Sequence, residues 1–154
     1  KILDNLTYRS NGKMHIYASP QQVASAMTGL IRATNQSLEK VDTNSTTHHP
    51  LAIANAFHLA FLNQIHPFGD GNGRLARIIM NIILLQSGLP PIFIKEVSKA
   101  DYLNTFSAEE DHPGSMLEFM ADRLIESLRE KRKFLKKQMG PNSTLIPKPF
   151  KPSI

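Results

Sequence analysis

The sequence predicts an all-α domain that carries one small β-hairpin. Three observations lead to this prediction. Apolar residues recur at steps of three and four through most of the chain, helix-start signals precede these runs, and a strand-like alternation is confined to residues 8–17. A chain of 154 residues can bury a core of its own. We expect one domain over residues 1–138 and a Pro-rich, extended tail over residues 139–154.

The first expected element is the hairpin over residues 8–17. Asn11 and Gly12 form a dipeptide that is typical of a type I′ turn. After this turn, Met14 and Ile16 occupy alternate positions, as they would in a half-buried strand. Both strands are expected to be short, because helix-start signals follow almost at once.

A helix is expected directly after the hairpin. Ser19 is a good N-cap, Pro20 fits the first helical position, and Gln22 completes a capping box. The helix has one apolar stripe, which we expect to be buried and which consists of Val23, Met27, Leu30, Ile31 and Thr34. The polar residues 42–48 then predict a loop.

Four further helices are expected. Pro50 opens the second helix of the chain, which is apolar on two faces and ends at His66. Residues 75–85 are apolar almost all round, which is the pattern of a central helix in an all-helical domain. The last two helices start at Ser98 and Ser115, each of which has an acidic residue three positions later.

The composition excludes several classes of protein. There is no cysteine, so disulfides, zinc fingers and thiol nucleophiles are excluded. The apolar run over residues 78–85 is interrupted by Asn81 and is far shorter than the roughly 20 residues that a membrane span needs. Because the chain starts with Lys1 and has no secretory signal, we expect a fragment or processed product located in the cytoplasm.

The net charge of +5 and the pI of about 9.6 raise the question of nucleic-acid binding. Much of the charge lies in the basic run over residues 129–137. Aromatic residues are not interleaved with these cations, as a stacking platform for bases requires. We therefore expect a solvated helix end and no nucleic-acid partner, with a non-enzymatic basic binding module as the alternative.

The chemistry is concentrated in residues 66–77, with the sequence HPFGDGNGRLAR. Its three glycines bring backbone N–H groups close to a ligand at a helix N-terminus, where anions bind. Arg74 and Arg77 lie one turn apart and could clamp successive phosphates. Asp70 offers an oxygen ligand for Mg²⁺. His66 stands at the entrance of this loop, and because histidine is the side chain that most often serves as a general base, it is the natural candidate for that role.

Other interpretations of this segment do not fit their context. A dinucleotide-binding fingerprint needs a preceding strand, but a helix is expected here. A P-loop needs Gly-Lys-Ser or Gly-Lys-Thr, which is absent. An EF-hand that starts at Asp70 would need Glu where Asn81 stands. Each residue alone could serve a tight turn or a helix cap, so the argument rests on the whole set.

The segment matches the Fic-domain signature His-x-Phe-x-Asp/Glu-Gly-Asn-Gly-Arg-x-x-Arg at every defined position, and the resemblance extends over roughly residues 8–128. It implies a Fic-type helical bundle in which residues 8–17 form a flap and residues 66–74 form the catalytic loop. It also implies a protein adenylyltransferase, which transfers AMP from ATP to a Ser, Thr or Tyr hydroxyl of a target protein and releases pyrophosphate.

The same resemblance implies a role for each matching residue. His66 would be the base, Asp70 would hold Mg²⁺ at the nucleotide, Phe68 would point into the core as an anchor, and Tyr102 would lie near the adenine. The phosphates would be bound by Gly71, Asn72, Gly73, Arg74 and Arg77. The flap would align the target protein through Lys13, Met14, His15 and Ile16.

Two questions stay open at this stage. A Fic-type fold can also support other nucleotide-derived transfer or the removal of AMP, and these remain alternatives. Fic domains are commonly restrained by a helix with the pattern Ser/Thr-x-x-x-Glu-Gly/Asn. Thr105–Glu110 has the Thr-to-Glu spacing but ends in Glu instead. We therefore expect the inhibitory helix to lie upstream or on a separate antitoxin-like protein.

Overall fold

The computed structural model describes the backbone of residues 6–8 and 12–139. The all-α prediction with one hairpin is confirmed. In chain order the elements are β1 (Leu6–Tyr8), β2 (Met14–Ile16), α1 (Pro20–Leu38), α2 (Pro50–Leu59), a π-helix (Ala60–Ile65), α3 (Asn72–Gln86), a 3₁₀ turn (Glu96–Ser98), α4 (Lys99–Asp111) and α5 (Ser115–Met139). In this part of the chain, no helix is both long and apolar enough to span a bilayer.

The hairpin begins earlier than the sequence predicts. Strand β1 starts at Leu6, and the antiparallel register pairs Leu6 with Ile16 and Tyr8 with Met14. Gly12 has a φ of +76°, in the region that a type I′ turn uses, but Asn11 lies outside the described residues. The predicted tail also lies outside them, except for its first residue, which ends α5.

The core forms where α2 packs against α3 and α5. Pro50 opens α2, and the preceding His49 caps it, because its Nδ1 accepts a hydrogen bond of 3.1 Å from the Leu51 N–H group. The largest fully buried apolar side chains come from α2 with its π-helix, from α3, from α5 and from the segment after α3: Phe61, Met80, Leu84, Ile92, Met116 and Met120.

Helix α1 lies at the edge of this core. Its predicted start is confirmed, and the Ser19 N–H group donates a 3.1 Å hydrogen bond to the Gln22 side chain. The prediction of a buried stripe is wrong, since no residue of α1 is fully buried. Met27 and Leu30 pack half-buried against the core, and Ile31 is 49% exposed.

The start of α5 is stabilised by a residue that the sequence did not suggest. Ser115 is the first helical residue and not the predicted N-cap. The carboxylate of Glu109, on α4, accepts hydrogen bonds of 2.8 Å from the N–H groups of Gly114 and Met116. Glu109 thus satisfies the first donors of α5 and fixes the tight connection between α4 and α5.

Candidate active site

His66 is placed by the irregular end of the second helical segment. The π-helix widens the turn before it, and the His66 N–H group donates to the Phe61 carbonyl at 2.8 Å. His66 itself has φ +49° and ψ +61°, and no other non-glycine residue of the described ranges has a positive φ. Wide π turns and left-handed non-glycine residues both cluster at functional sites.

The His66 imidazole is oriented by two contacts. Its Nδ1 donates to the Leu62 carbonyl at 3.1 Å, so that Nε2 carries the lone pair of the neutral ring. One face of the ring stacks on Tyr17, with centroids 4.3 Å apart and planes inclined by 26°. This tautomer leaves Nε2 as the basic atom that a general base needs.

The loop after His66 is anchored by Asn72 and not by Phe68. The prediction that Phe68 points into the core is wrong, because Phe68 is 52% exposed and its ring only approaches Phe61, at 6.5 Å between centroids. The side chain of Asn72 is buried instead. Its Oδ1 accepts from the Phe68 N–H group at 3.1 Å, and its Nδ2 donates to the Phe68 carbonyl. The Asn72 side-chain amide, which was expected to bind a phosphate, is therefore engaged by the Phe68 backbone instead.

The structure explains why glycine stands at two positions of the loop. Gly71 precedes α3 with φ +84°, a conformation that side chains disfavour. A β-carbon at Gly73 would lie 3.3 Å from Nη1 of Arg77, so glycine gives that guanidinium room. Because α3 starts at Asn72, the predicted loop over residues 66–74 ends at Gly71.

Asp70 and Arg74 form an exposed ion pair at the mouth of the loop. Asp70 Oδ2 lies 3.0 Å from Arg74 Nη2, and its Oδ1 accepts a 2.6 Å bond from the Gly71 N–H group. The described residues contain no group of three or more acidic or His side chains that could hold a metal. A single carboxylate suits Mg²⁺ only if water and phosphate oxygens complete the shell, which is how Mg²⁺ is usually bound.

A cavity of about 410 Å³ lies between the π-helix, the first turn of α3, and α4. His66, Gly73 and Arg77 line it from one side, and Tyr102 and Phe106 line it from α4. Asp70 and Arg74 do not line this cavity. Of the two arginines predicted to bind phosphate, Arg77 therefore faces the cavity, whereas Arg74 pairs with Asp70 outside it. The volume is within the usual range for small-molecule sites.

Tyr102 forms a buried wall of this cavity. It is 4% exposed and shares a 2.8 Å hydrogen bond with Nε2 of the fully buried His58. Burial lowers the pKa of His58 to about 4; the Ala76 backbone opposes this shift and the Arg77 charge reinforces it. Burial raises the pKa of the Tyr102 hydroxyl, and Arg77 opposes that shift. Both groups are therefore neutral at neutral pH, and the Arg77 guanidinium lies 5.9 Å from the Tyr102 ring centroid.

The three predicted flap residues that form β2 divide between the two faces of the strand. Met14 and Ile16 are 55% and 63% exposed, on the face directed away from the site. His15 is half-buried, and its Nε2 donates to the Asn63 carbonyl in the π-helix. Tyr17 follows two residues after His15, on the same face. Sequence reasoning did not assign Tyr17 to the site, although the period of two could have indicated it.

Lys13 and His15 of the flap also approach acidic residues at the end of α4. Lys13 Nζ lies 3.9 Å from an Asp111 carboxylate oxygen, and His15 Nδ1 lies 3.8 Å from Oε1 of Glu110. The Glu at the end of the Thr105–Glu110 stretch therefore faces the flap. The other Glu of that stretch caps α5, as described above.

Comparison with known sequences points to one family. The model of the Fic/DOC family matches residues 2–84. The chain is 46% identical over 54 residues to a protein adenylyltransferase Fic of Nematostella vectensis, and 36% identical over 80 residues to one of Drosophila melanogaster. These matches cover 35% and 51% of this chain, but 12% and 16% of the relatives.

Solved structures share the fold. A Fic domain containing signaling protein from Bacteroides thetaiotaomicron VPI-5482 superposes with a TM-score of 0.76 at 29% identity, covering 89% of this chain and 55% of that one. A Fic family protein from Desulfovibrio desulfuricans G20 gives a TM-score of 0.61 at 25% identity, covering 88% and 41%. Because the family model also matches more than half of the sequence, the chain belongs to the Fic/DOC family.

Proposed function

We propose that this chain is a protein adenylyltransferase domain, which transfers AMP from ATP to a hydroxyl group of a target protein. The observation that carries the proposal is the cavity at which His66, Gly73, Arg77 and Tyr102 meet. The names of the curated relatives support the same reaction.

In the proposed reaction, Nε2 of His66 takes the proton of the target hydroxyl. The hydroxyl oxygen then forms a bond to the α-phosphorus of ATP, the bond from that phosphorus to the bridging oxygen breaks, and pyrophosphate leaves. The contact between Nδ1 and the Leu62 carbonyl suits this role, because a carbonyl oxygen can only accept and therefore favours the proton on Nδ1. A well-placed base contributes roughly 10²–10⁴-fold to the rate.

The phosphates would be bound by Arg77 and by the first turn of α3. The first N–H groups of a helix have no intrahelical acceptor, which favours anions there. The Gly71 N–H group already donates to the Asp70 carboxylate. The backbone N–H groups of Asn72, Gly73 and Arg74 are therefore the donors that would face the phosphates. Asp70 would hold Mg²⁺, which when bound offsets phosphate charge. Arg74 would have to leave Asp70 to reach a phosphate.

The test is incubation of the purified chain with ATP labelled at either the α- or the γ-phosphate. We expect label on protein from the α-position and none from the γ-position, with a parallel release of pyrophosphate. Label from the γ-position alone would support phosphate transfer instead. Absence of protein label from both positions, in the chain itself and in added cell lysate, would contradict the proposal.

A further inference from the structure

We propose that Tyr17 is a positioning residue that holds the imidazole of His66 in the plane needed for proton transfer. The inference rests on the proposed function, in which His66 is the base. Tyr17 lies outside the loop signature and directly follows β2, in the short connection between β2 and α1.

The stacked contact with Tyr17 restrains a motion of the His66 ring that the hydrogen bond to the backbone still allows. The ring is attached at Cβ and its Nδ1 is held by the Leu62 carbonyl, but one hydrogen bond of 3.1 Å still tolerates a tilt of the ring plane. A ring lying flat on the imidazole, at 4.3 Å and 26°, fixes the plane of the imidazole and hence the direction of its Nε2 lone pair. Stacked rings at this distance attract each other in addition to burying apolar surface.

Tyr17 is itself held against the segment that carries His66. On one side of it, the His15 ring packs edge-to-face at 4.9 Å and donates to the Asn63 carbonyl. On the other side, the Ala18 N–H group donates to the Gln64 carbonyl at 2.7 Å. His15, two residues before Tyr17, and Ala18, directly after it, are thus bonded to consecutive residues of the π-helix, Asn63 and Gln64. These two bonds tie the Tyr17 segment to the element that directly precedes His66.

The experiment compares Tyr17→Phe, which keeps the ring, with Tyr17→Leu, which removes it. Phe134→Leu is the matched control, because it removes an aromatic ring that is 61% exposed on α5. The first readout is the NMR spectrum of the His66 ring, assigned with His66→Gln. We expect the ring protons to move downfield in Tyr17→Leu, because the shielding ring current is lost, and to stay near their wild-type positions in the other two variants.

The second readout is label incorporation from α-labelled ATP at several ATP concentrations. We expect the maximal rate of Tyr17→Leu to fall about tenfold, which is less than the loss of a base would cost. The KM for ATP should change less than about twofold, because the proposed phosphate-binding groups, Arg77 and the first turn of α3, are unchanged in this variant. Tyr17→Phe and Phe134→Leu should retain the wild-type rate.

Three results would overturn the inference: an unchanged His66 spectrum in Tyr17→Leu, an unchanged rate in that variant, or an equal loss in Tyr17→Phe, which would assign the effect to the hydroxyl. Tyr17→Met serves as the ring-free variant if Tyr17→Leu does not fold. If the wild-type chain transfers no label, the proposed function fails, whereas the NMR comparison still decides whether Tyr17 orients His66.

Discussion

His66 combines an unusual backbone conformation with a defined tautomer. A non-glycine residue at a φ of +49° is disfavoured by roughly 1–2 kcal/mol relative to the right-handed region. The surrounding bonds must therefore hold it, and here they come from the Phe61 and Leu62 carbonyls. The cost is borne at the one residue to which the proposed mechanism assigns proton transfer.

We predict that His66→Ala loses transfer by at least ~10²-fold while it still binds Mg-ATP with an affinity near that of the wild type. The reason is that the proposed phosphate donors, Arg77 and the first turn of α3, are unchanged. Calorimetric titration and label incorporation measure the two effects separately. His112→Ala, in the exposed turn after α4, is the control. Retention of near wild-type transfer would remove His66 from its assigned role.

The buried His58 predicts a pH dependence of stability. Its pKa is about 4 in the folded chain and 6.5 when unperturbed, so between these values the unfolded chain binds more protons. Stability should therefore be highest above pH 6.5 and should fall as the pH is lowered towards 4. From about pH 7.5 to about pH 5 the loss attributable to His58 is about 2 kcal/mol.

Urea unfolding at these two pH values measures this loss. His58→Gln, which keeps a polar group facing Tyr102, should be less stable at neutral pH but should show a smaller decrease at low pH. An identical decrease in the variant and the wild type would assign the pH dependence to the other histidines or to the carboxylates.

The exposed position of Asp70 predicts that its replacement changes the Mg²⁺ dependence of activity but hardly changes the free energy of unfolding. Asp70→Asn should lose activity and its dependence on added Mg²⁺, because the amide no longer binds the cation well. The free energy of unfolding should change by less than about 1 kcal/mol, since the ion pair with Arg74 is exposed. Activity across a Mg²⁺ titration and thermal unfolding are the measurements. Asp122→Asn, on α5, is the control, and full Mg²⁺-dependent turnover in Asp70→Asn would point to another ligand.

Helix α3 contains two asparagines that do the same structural work at different places. Asn72 binds the backbone N–H and carbonyl groups of Phe68, and Asn81 binds those of Ile92, at 2.8 and 3.0 Å. Asn81 interrupts the apolar run of the sequence, and its clamp explains why a polar residue stands there. Both side chains join a helix to a neighbouring non-helical segment.

We predict that Asn72→Ala and Asn81→Ala each destabilise the chain by about 1–3 kcal/mol, because each removes two part-buried hydrogen bonds to backbone groups. Only Asn72→Ala should also lower the transfer rate, since only its clamp fixes the loop between His66 and α3. Chemical unfolding and label incorporation test this pair. Equal transfer rates in the two variants, at a temperature where both are folded, would show that the loop does not need its clamp.

At the level of elements, the order and type of the helices could be predicted because the signals are local. Pro20 and Pro50 start helices where expected. The prediction of a helix buried all round is wrong for α3, because one face packs in the core while Ile78, Ile82 and Leu85 of its apolar run are 55%, 45% and 53% exposed. The π-helix could not be predicted, since a single widened turn does not change an apolar pattern visibly. The roles of Phe68 and Asn72 depend on where the loop folds back, which spacing alone does not determine.

At the scale of the whole molecule, the basic run over residues 129–137 lies away from the cavity in the part of the chain that the structure describes. The cations of the basic run lie on the exposed last turns of α5, whereas the cavity is lined by residues of the π-helix, α3, α4 and the flap. The net positive charge of the chain therefore does not by itself indicate where the candidate active site lies. This placement favours a solvated helix end, as the sequence predicts.

We predict that replacing four of these lysines with alanine leaves label incorporation unchanged and alters the free energy of unfolding by less than about 0.5 kcal/mol per substitution. The lysines are Lys131, Lys133, Lys136 and Lys137. A gel-shift assay with a short DNA duplex at physiological salt should show no binding by the wild type. Binding that is lost in the variant would favour the basic binding module.

The π-helix also decides which single-residue length changes the segment before the loop can absorb. Removing one residue from Ala60–Ile65 would let the segment close into a regular α-helix. Because a π turn takes one residue more than an α turn to close, the shortened segment would turn through nearly the same total angle, and His66 would keep its direction towards Tyr17 and the cavity. The same deletion within α2 would instead turn everything after it by about 100° and would carry His66 away from the cavity.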